Sequence, residues 1–143
     1  MAKLIFVNLP VSDLARATAF YQAVGGEKNE QFSDETASCM VFSETIHAML
    51  LTHDKFRQFT PRKIADARTS SEVLICISAD SREAVDDMIR KAEAAGGGVD
   101  PGPTQDFGFM YSRSFEDPDG HIWEAVWMDV AAATAAHSAT AAA

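Results

Sequence analysis

Long apolar segments and cysteine are both scarce in this sequence of 143 residues. No run reaches the ~18 consecutive apolar residues of a transmembrane helix, so no membrane-spanning segment is expected. The N-terminal MAKLIFVNLP has neither the longer apolar core nor the small-residue cleavage site of a signal peptide. Cys39 and Cys76 lie in apolar strand-like runs, where a buried free thiol is the usual state. Together these features predict a cytoplasmic protein.

Basic residues are also scarce. The chain has 12 Lys and Arg against 21 Asp and Glu, a net charge of −9, which disfavours nucleic acid and anionic membranes as partners. Residues 1–68 hold eight acidic and eight basic residues, whereas residues 69–143 hold thirteen acidic and four basic ones. We interpret most of this excess as a solvated outer surface that aids solubility. The hydrophobic fraction of 47% predicts a folded domain rather than a disordered chain.

One order of elements is predicted twice along the chain. A β-type run at residues 4–9 ends at Pro10, and the helix that follows, from about Leu14 to Val24, is ended by Gly25-Gly26. Three strand-like runs complete this first unit, near residues 27–32, 37–43 and 46–52. The order restarts with a strand at 72–78, a helix near 82–95 and strands near 98–100, 107–115 and 121–128. Because one βαβββ module exposes an apolar sheet face, two are expected to pack together. The predicted fold is α+β, with two modules forming a curved mixed β-sheet around a cavity and the helices outside.

The predicted boundaries give a single domain and a tail. Residues 1–130 form the domain, which comprises module one (1–52), a basic helical connector (53–70) and module two (71–130). Residues 131–143 contain nine alanines and no charge. Such a tail can bury little, so we expect it to be mobile or weakly helical.

Two segments resemble the glyoxalase/bleomycin-resistance/extradiol-dioxygenase group, the vicinal oxygen chelate superfamily. The first is FVNLPVSDLARATAFYQAVGG near the start, and the second is SFEDPDGHIWEAVW near the end, where an Asp-Pro-Asp-Gly turn precedes a strand. The resemblance covers about residues 3–129, and the whole chain most resembles bacterial proteins described as predicted lactoylglutathione lyases. It implies a small-molecule ligand and a homodimer, sometimes with modules exchanged between chains.

The superfamily's chemistry rests on a divalent metal held by His and Glu side chains, one from each of four strands. The resemblance places these positions at Phe6, Leu50, Leu74 and Glu124. A single carboxylate cannot hold Zn²⁺, Ni²⁺ or Fe²⁺, since catalytic sites use at least three protein ligands. No metal cofactor is therefore expected, and Phe6, Leu50 and Leu74 are expected to contact the ligand. An atypical metal site with Glu124 would need His47, which lies on the opposite face of the strand from Leu50 unless the strand is bulged.

Two polar side chains are candidates for the chemistry or for ligand orientation. Glu124 lies in an apolar strand, where a half-buried carboxylate could act as a general base next to a carbonyl. The alternative for Glu124 is a structural carboxylate bonded to a neighbouring strand. Asn8 shares a strand face with Phe6, and its amide could orient a ligand carbonyl or hydroxyl, or instead satisfy backbone groups near Pro10.

A second group of candidates lies in the predicted strand 107–115. Phe109, Tyr111 and Arg113 alternate along one face, and a phenol and a guanidinium beside Glu124 could bind a polar or anionic ligand. The alternative is an aromatic core pair with a salt bridge between Arg113 and Glu124. His121 follows Gly120 and is interpreted as the residue that leaves a turn.

Three functions remain open from the sequence. The first is an enzyme of the glyoxalase or lyase type, with Glu124 as the base. The second is a metal-free protein that sequesters a small hydrophobic or cationic molecule, as bleomycin-resistance proteins do. The third is a module that binds a protein partner, which would be favoured if its own side chains filled the cavity.

Overall fold

The first module has the predicted order of elements. A computed structural model describes the backbone of residues 1–142 and the side chains of residues 1–138. Its first elements are β1 (Ile5–Val11), α1 (Leu14–Ala23), β2 (Glu27–Asn29), β3 (Ala37–Val41) and β4 (Ile46–Thr52). Helix α1 begins where the Asp13 carboxylate accepts a hydrogen bond from the N–H of Arg16, and it ends before Gly25, whose φ is +114°. The expected strand at 27–32 is shorter, because Glu30–Phe32 form a 3₁₀ turn.

The connector and the second module follow. Helix α2 (His53–Arg57) opens the connector, and residues 58–70 form turns and irregular structure. The later elements are β5 (Ile75–Ser78), α3 (Arg82–Ala94), β6 (Gly98–Val99), β7 (Gln105–Asp106), β8 (Met110–Glu116) and β9 (Ile122–Met128). The expected strand at 72–78 begins only at Ile75, and the expected strand at 107–115 begins only after the turn at Gly108.

The alanine-rich tail is helical. Helix α4 spans Val130–Ala142, and Ala143, the last residue of the predicted tail, lies outside the described residues. None of the helices in residues 1–142 combines the length and the apolar character that crossing a membrane requires. The mobility of the tail and the domain boundaries remain predictions.

The strands form two mixed sheets, which confirms the α+β prediction. The strand order is β1-β4-β3-β2 in the first sheet and β5-β9-β8-β6 in the second, with β7 paired to β8. The pairs β1–β4 and β5–β9 are parallel, and the other pairs are antiparallel. Neither sheet is closed. Within residues 1–142, β1 and β5 are edge strands, so the expected curved surface consists of two separate open sheets.

The strand register decides which residues face the helices. In the first sheet Leu9 lies beside Leu50, and both are buried in the core with α1. Phe6 lies beside His47, and Asn8 beside Met49, on the opposite side of the same sheet. We call the helix-covered side of each sheet its inner face and the other side its outer face.

One core joins the two modules. Helix α1 of module one brings Phe20 and Tyr21 against Phe115 and Trp123 of module two, with ring centroids 5.7 to 6.0 Å apart for Phe20–Phe115 and Tyr21–Trp123. The Tyr21 hydroxyl donates a hydrogen bond of 2.6 Å to Asp117 and accepts one of 3.0 Å from the indole N–H of Trp123. All three polar groups are buried, so the junction is both packed and hydrogen-bonded.

Candidate functional site

A cleft lies where the connector crosses the end of β1 and the turn before β9. The Arg68 guanidinium donates to the carbonyl oxygen of Pro118, and Nε2 of His121 donates a 2.8 Å hydrogen bond to the carbonyl oxygen of Pro10. Gly120 makes this approach feasible, because a Cβ at that position would lie 2.8 Å from Cγ of Arg68. The Arg68 contact fixes the connector to the turn before β9, and the His121 contact joins that turn to β1.

Two adjoining cavities occupy the cleft. The larger has a volume of about 730 Å³ and the smaller about 380 Å³, both within the range of small-molecule sites. They share part of their lining, including Pro10, Thr60, Arg62, Lys63, Ile64 and His121. The smaller cavity adds apolar side chains, Phe56, Val73, Ile75 and Ile122, and a polar stretch of three residues, Ser70, Ser71 and Glu72. The cleft therefore has an end with large apolar side chains and a more polar end.

Asn8 is the predicted binding residue that lies in this cleft. It lines the smaller cavity from the outer face of β1 and is exposed. Among the described residues its side-chain amide has no hydrogen-bond partner, so it does not satisfy the backbone near Pro10. The amide is free to donate to, or accept from, a bound molecule.

Glu124 lies on the outer face of β9, in register with Cys76 of β5 and Ser114 of β8. It is half-buried, and its carboxylate forms no hydrogen bond or ion pair within the described part of the chain. Desolvation, followed by the charge of Glu124, raises the pKa of the Cys76 thiol, which keeps that thiol protonated and poorly nucleophilic. Glu124 is two residues, about 7 Å, along β9 from Ile122 at the wall of the smaller cavity.

The structure corrects one of the expected ligand positions, Leu50, and places two others, Phe6 and Leu74, where they are exposed. Leu50 is fully buried on the inner face, so it does not line a cavity, and His47 shares the outer face with Phe6 without any bulge. The two rings stack, with centroids 4.4 Å apart, and Phe6 is 48% exposed rather than enclosed. Leu74 precedes β5 and is 56% exposed. The physical reason for the correction at Leu50 is the register, because a one-residue difference in a strand exchanges its two faces. Contact of Phe6 and Leu74 with a ligand remains a prediction.

The expected pairing of Arg113 with Glu124 is also wrong. Arg113 points from the inner face of β8 towards α3, and its guanidinium bonds Asp86 at 2.9 Å and Asp100 at 2.7 Å. Tyr111 donates a 2.6 Å hydrogen bond to the same Asp86 carboxylate. This hydrogen bond and that of Arg113 lower the pKa of Asp86. Tyr111 and Arg113 therefore hold α3 to the sheet and lie on the opposite face from Glu124.

Phe109 is not placed on a strand with these two residues. It lies in the turn before β8, half-buried, with its ring 6.3 Å from that of Phe107. Its carbonyl oxygen accepts a hydrogen bond from the N–H of Asp129. These contacts join the turn to the end of β9.

The divalent metal implied by the resemblance does not fit the residues present. Three of its four positions hold Phe6, Leu50 and Leu74, which have no ligand atoms, and the cross-strand neighbours of Glu124 are Ser114 and Cys76. Over the part of the chain that the structure describes, no group of three or more His, Cys, Asp and Glu side chains could hold a metal ion. We therefore derive no step through a metal.

The basic residues of the connector were not predicted as site residues. Four of them line the larger cavity together with two histidines: His53, Arg57, Arg62, Lys63, Arg68 and His121. Their signal in the sequence is compositional, because residues 53–70 carry five of the 12 basic residues of an acidic chain. The sequence pattern does not show that this segment folds back over the strand ends.

The two modules, βαβββ and the same order with the additional two-residue strand β7, form open mixed sheets, and this class of α+β fold is shared with known proteins. The family model described as Glyoxalase/Bleomycin resistance protein/Dioxygenase superfamily matches residues 3–125, and the chain belongs to that superfamily. No curated protein matches the sequence significantly.

Several solved structures are similar to this chain. A hypothetical protein from S. aureus has 26% identity and a TM-score of 0.73, over 89% of this chain and 94% of that one. A glyoxalase/bleomycin resistance protein/dioxygenase family enzyme from Burkholderia phytofirmans has 22% identity and a TM-score of 0.72, over 89% and 99%. A genomically encoded fosfomycin resistance protein from Listeria monocytogenes has 21% identity and a TM-score of 0.64, over 89% and 91%. At these identities the similarity establishes the fold and leaves the function to the site.

Proposed function

We propose that the chain binds a small organic molecule in the cleft beneath the connector, without a metal ion. The observation that carries this proposal is the smaller cavity of about 380 Å³, whose lining combines apolar side chains with Asn8, an amide that is unpartnered within the described residues. An apolar pocket with a few polar groups for orientation is the usual form of a small-molecule site. Sequestration of the ligand requires only such a binding site, without catalytic residues.

A screen of small molecules against chelator-treated protein tests this proposal. Binders should raise the melting temperature, and Asn8→Ala should weaken their affinity about five- to tenfold, since one net hydrogen bond contributes about 1 kcal/mol. Gln22→Ala is the matched control, because Gln22 is an exposed amide on α1 away from both cavities. Stabilisation that appears only after Zn²⁺ or Ni²⁺ is added would contradict metal-free binding.

A second candidate is catalysis by Glu124 as a metal-independent lyase or isomerase. Glu124 supports it, because its half-buried carboxylate is unpartnered within the described residues and lies about 7 Å along β9 from the cavity wall. Such a carboxylate can remove a proton next to a carbonyl. We do not expect turnover of methylglyoxal and glutathione by a metal mechanism, and Ni²⁺- or Zn²⁺-dependent turnover lost on chelation would contradict this.

Deuterium incorporation separates this candidate from sequestration. Carbonyl compounds are incubated with the protein in D₂O, and exchange next to the carbonyl is followed by NMR. Catalysis predicts exchange that Glu124→Gln abolishes while binding is retained. The control Glu93→Gln, on the exposed side of α3, should exchange at the wild-type rate. Binding without exchange by the wild type leaves sequestration as the function.

A homodimer is the proposed assembly. β1 and β5 each pair with one strand within residues 1–142, so each leaves an open edge, and apolar side chains beside these edges are about half exposed or more: Ile5, Phe6, Val73 and Leu74. Open edges with apolar side chains favour pairing with another copy.

Sedimentation equilibrium tests this assembly. The wild type should be a dimer, and Val73→Glu with Leu74→Glu should shift it towards monomer. The control Phe32→Glu alters a similarly exposed side chain after β2, at the other end of the first sheet. A monomeric wild type would contradict the proposal.

We also propose a cytoplasmic location. Cys39 and Cys76 are unpaired, and Cys76 is exposed rather than buried as the sequence suggested. An exposed free thiol is best preserved in a reducing compartment. Cell fractionation tests this, and recovery from an extracytoplasmic fraction would contradict it.

A further inference from the structure

The larger cavity concentrates positive charge in a chain whose net charge is −9. Arg62, Lys63 and Arg68 line it on the connector side, and Arg57 and His53 lie at the same wall. A concave wall lined by positive charges raises the local concentration of anions. The charge and the shape of this cavity therefore favour the same class of ligand.

Cations outnumber carboxylates in the lining of the larger cavity, where Arg57, Arg62, Lys63 and Arg68 meet only Asp66 and Asp119. Arg57 pairs with Asp54 at 2.9 Å, but Arg62, Lys63 and Arg68 form no ion pair with residues 1–138. Both acidic residues keep their negative charge, but neither forms an ion pair with these cations within residues 1–138, and one oxygen of Asp119 is buried without a hydrogen-bond partner there. Glu72 adds a third carboxylate in the lining of the smaller cavity. Asp66 accepts the N–H of Arg68 at 3.0 Å, and Asp119 accepts the N–H of Ser12 at 3.0 Å. Lysine and arginine side chains that form no ion pair within the protein are suited to binding oxyanions.

We propose that the ligand is an organic anion whose phosphate or carboxylate group binds Arg62 and Lys63, while its apolar part lies in the smaller cavity. This inference rests on the proposed function, because the apolar part uses the cavity that contains Asn8. The two cavities share Arg62, Lys63 and Ile64 in their linings, so one molecule can contact both. The cations lie between the polar and apolar ends of the cleft.

A small anion fits this site better than a nucleic acid does. Outside the connector the basic residues are few: residues 69–143 carry four of them against thirteen acidic residues. A long polyanion would meet repulsion on either side of the cleft, whereas a small molecule contacts only the cleft wall.

Calorimetric titrations with phenyl phosphate, inorganic phosphate and benzyl alcohol test the inference. Phenyl phosphate should bind about tenfold more tightly than inorganic phosphate, because its ring is buried in the smaller cavity. Arg62→Ala with Lys63→Ala should weaken its binding about tenfold, and raised salt should weaken binding to the wild type. The control is Lys3→Ala with Arg16→Ala, which removes the same charge from exposed sites outside both cavities and should change affinity less than about twofold.

The failures of the two proposals give different results. If benzyl alcohol binds as tightly as phenyl phosphate and the Arg62/Lys63 variant binds normally, the anion inference is overturned while the proposed function stands. If inorganic phosphate binds as tightly as phenyl phosphate, the phenyl ring adds no affinity. That result would overturn both the inference that one ligand spans the two cavities and the proposed role of the smaller cavity. A single-stranded oligonucleotide that binds more tightly than phenyl phosphate overturns the choice of a small anion.

Discussion

Tyr21→Phe should destabilise the protein by about 3 kcal/mol, because the Tyr21 hydroxyl joins the two modules. The hydroxyl accepts the indole N–H of Trp123 and donates to Asp117, and the three residues are at most 3% exposed. Removing it leaves a buried indole N–H and a buried carboxylate oxygen unsatisfied, at about 1–3 kcal/mol each. The loss of the hydroxyl's own desolvation cost offsets part of this sum.

Urea unfolding followed by fluorescence and by circular dichroism measures this effect. Tyr111→Phe is the matched control, since the Tyr111 hydroxyl also donates a 2.6 Å hydrogen bond to an aspartate, Asp86. That site is half-buried, and in the variant Asp86 would still accept its hydrogen bond from Arg113. We expect the control to lose about 0.5–1 kcal/mol. A loss of less than about 1 kcal/mol in the free energy of unfolding for Tyr21→Phe, or equal losses for the two variants, would refute the claim that buried hydrogen bonds of Tyr21 join the two modules.

Three further predictions concern the register, the buried carboxyl and the turn. Leu50→Ala should cost about 2–5 kcal/mol and Leu74→Ala less than about 0.5 kcal/mol in urea unfolding, and equal losses would contradict the observed register. Desolvation raises the pKa of the buried Asp117 carboxyl above its usual 3.8. The fold therefore favours the protonated carboxyl, and this contribution to the free energy of unfolding is fully present below pH 3.8 and is lost as the pH rises through the raised pKa. Wild type should therefore gain stability relative to Asp117→Asn as the pH falls from about 7 to about 4, and a pH-independent difference would contradict this. Gly120→Ala should cost about 1 kcal/mol more than Gly108→Ala in thermal unfolding, because both glycines have positive φ but only Gly120 is crowded; equal losses would contradict that packing.

Local signals in the sequence predicted most of the secondary structure. Asp13 and Gly25 act within a few residues of themselves, so both ends of α1 could be predicted closely. The prediction that Pro10 ends the first strand was wrong, because β1 is an edge strand, which tolerates proline, and it continues to Val11. Strand starts were less predictable. Glu72, Val73 and Leu74 have strand-like sequence, yet β9 pairs with β5 only from Ile75 onwards.

The local sequence pattern did not determine which face of a strand each side chain occupies. Ile46–Thr52 is apolar on both sides, so the sequence does not distinguish whether Leu50 or His47 shares a face with Phe6, and pairing with β1 decides it. The partner of Arg113 was equally hidden, because Asp86 and Asp100 come close only when α3 packs on β8.

The cleft itself could not be predicted from local sequence. Thr60, Pro61 and the basic residues around them were interpreted as a connector, and local patterns do not determine which surface an irregular segment covers. Asn8 was found because its strand position and polarity could be read directly, whereas its cavity depends on a segment more than fifty residues later in the chain.

Backbone amide shifts of chelator-treated, ¹⁵N-labelled protein, titrated with phenyl phosphate, test the central claim most directly. The largest shifts are expected at residues 60–68, at Asn8 and at His121 and Ile122, and they should appear without added metal. Shifts concentrated instead around Phe6 and His47 on the open sheet face, or binding that appears only with Zn²⁺ or Ni²⁺, would contradict a metal-free site beneath the connector.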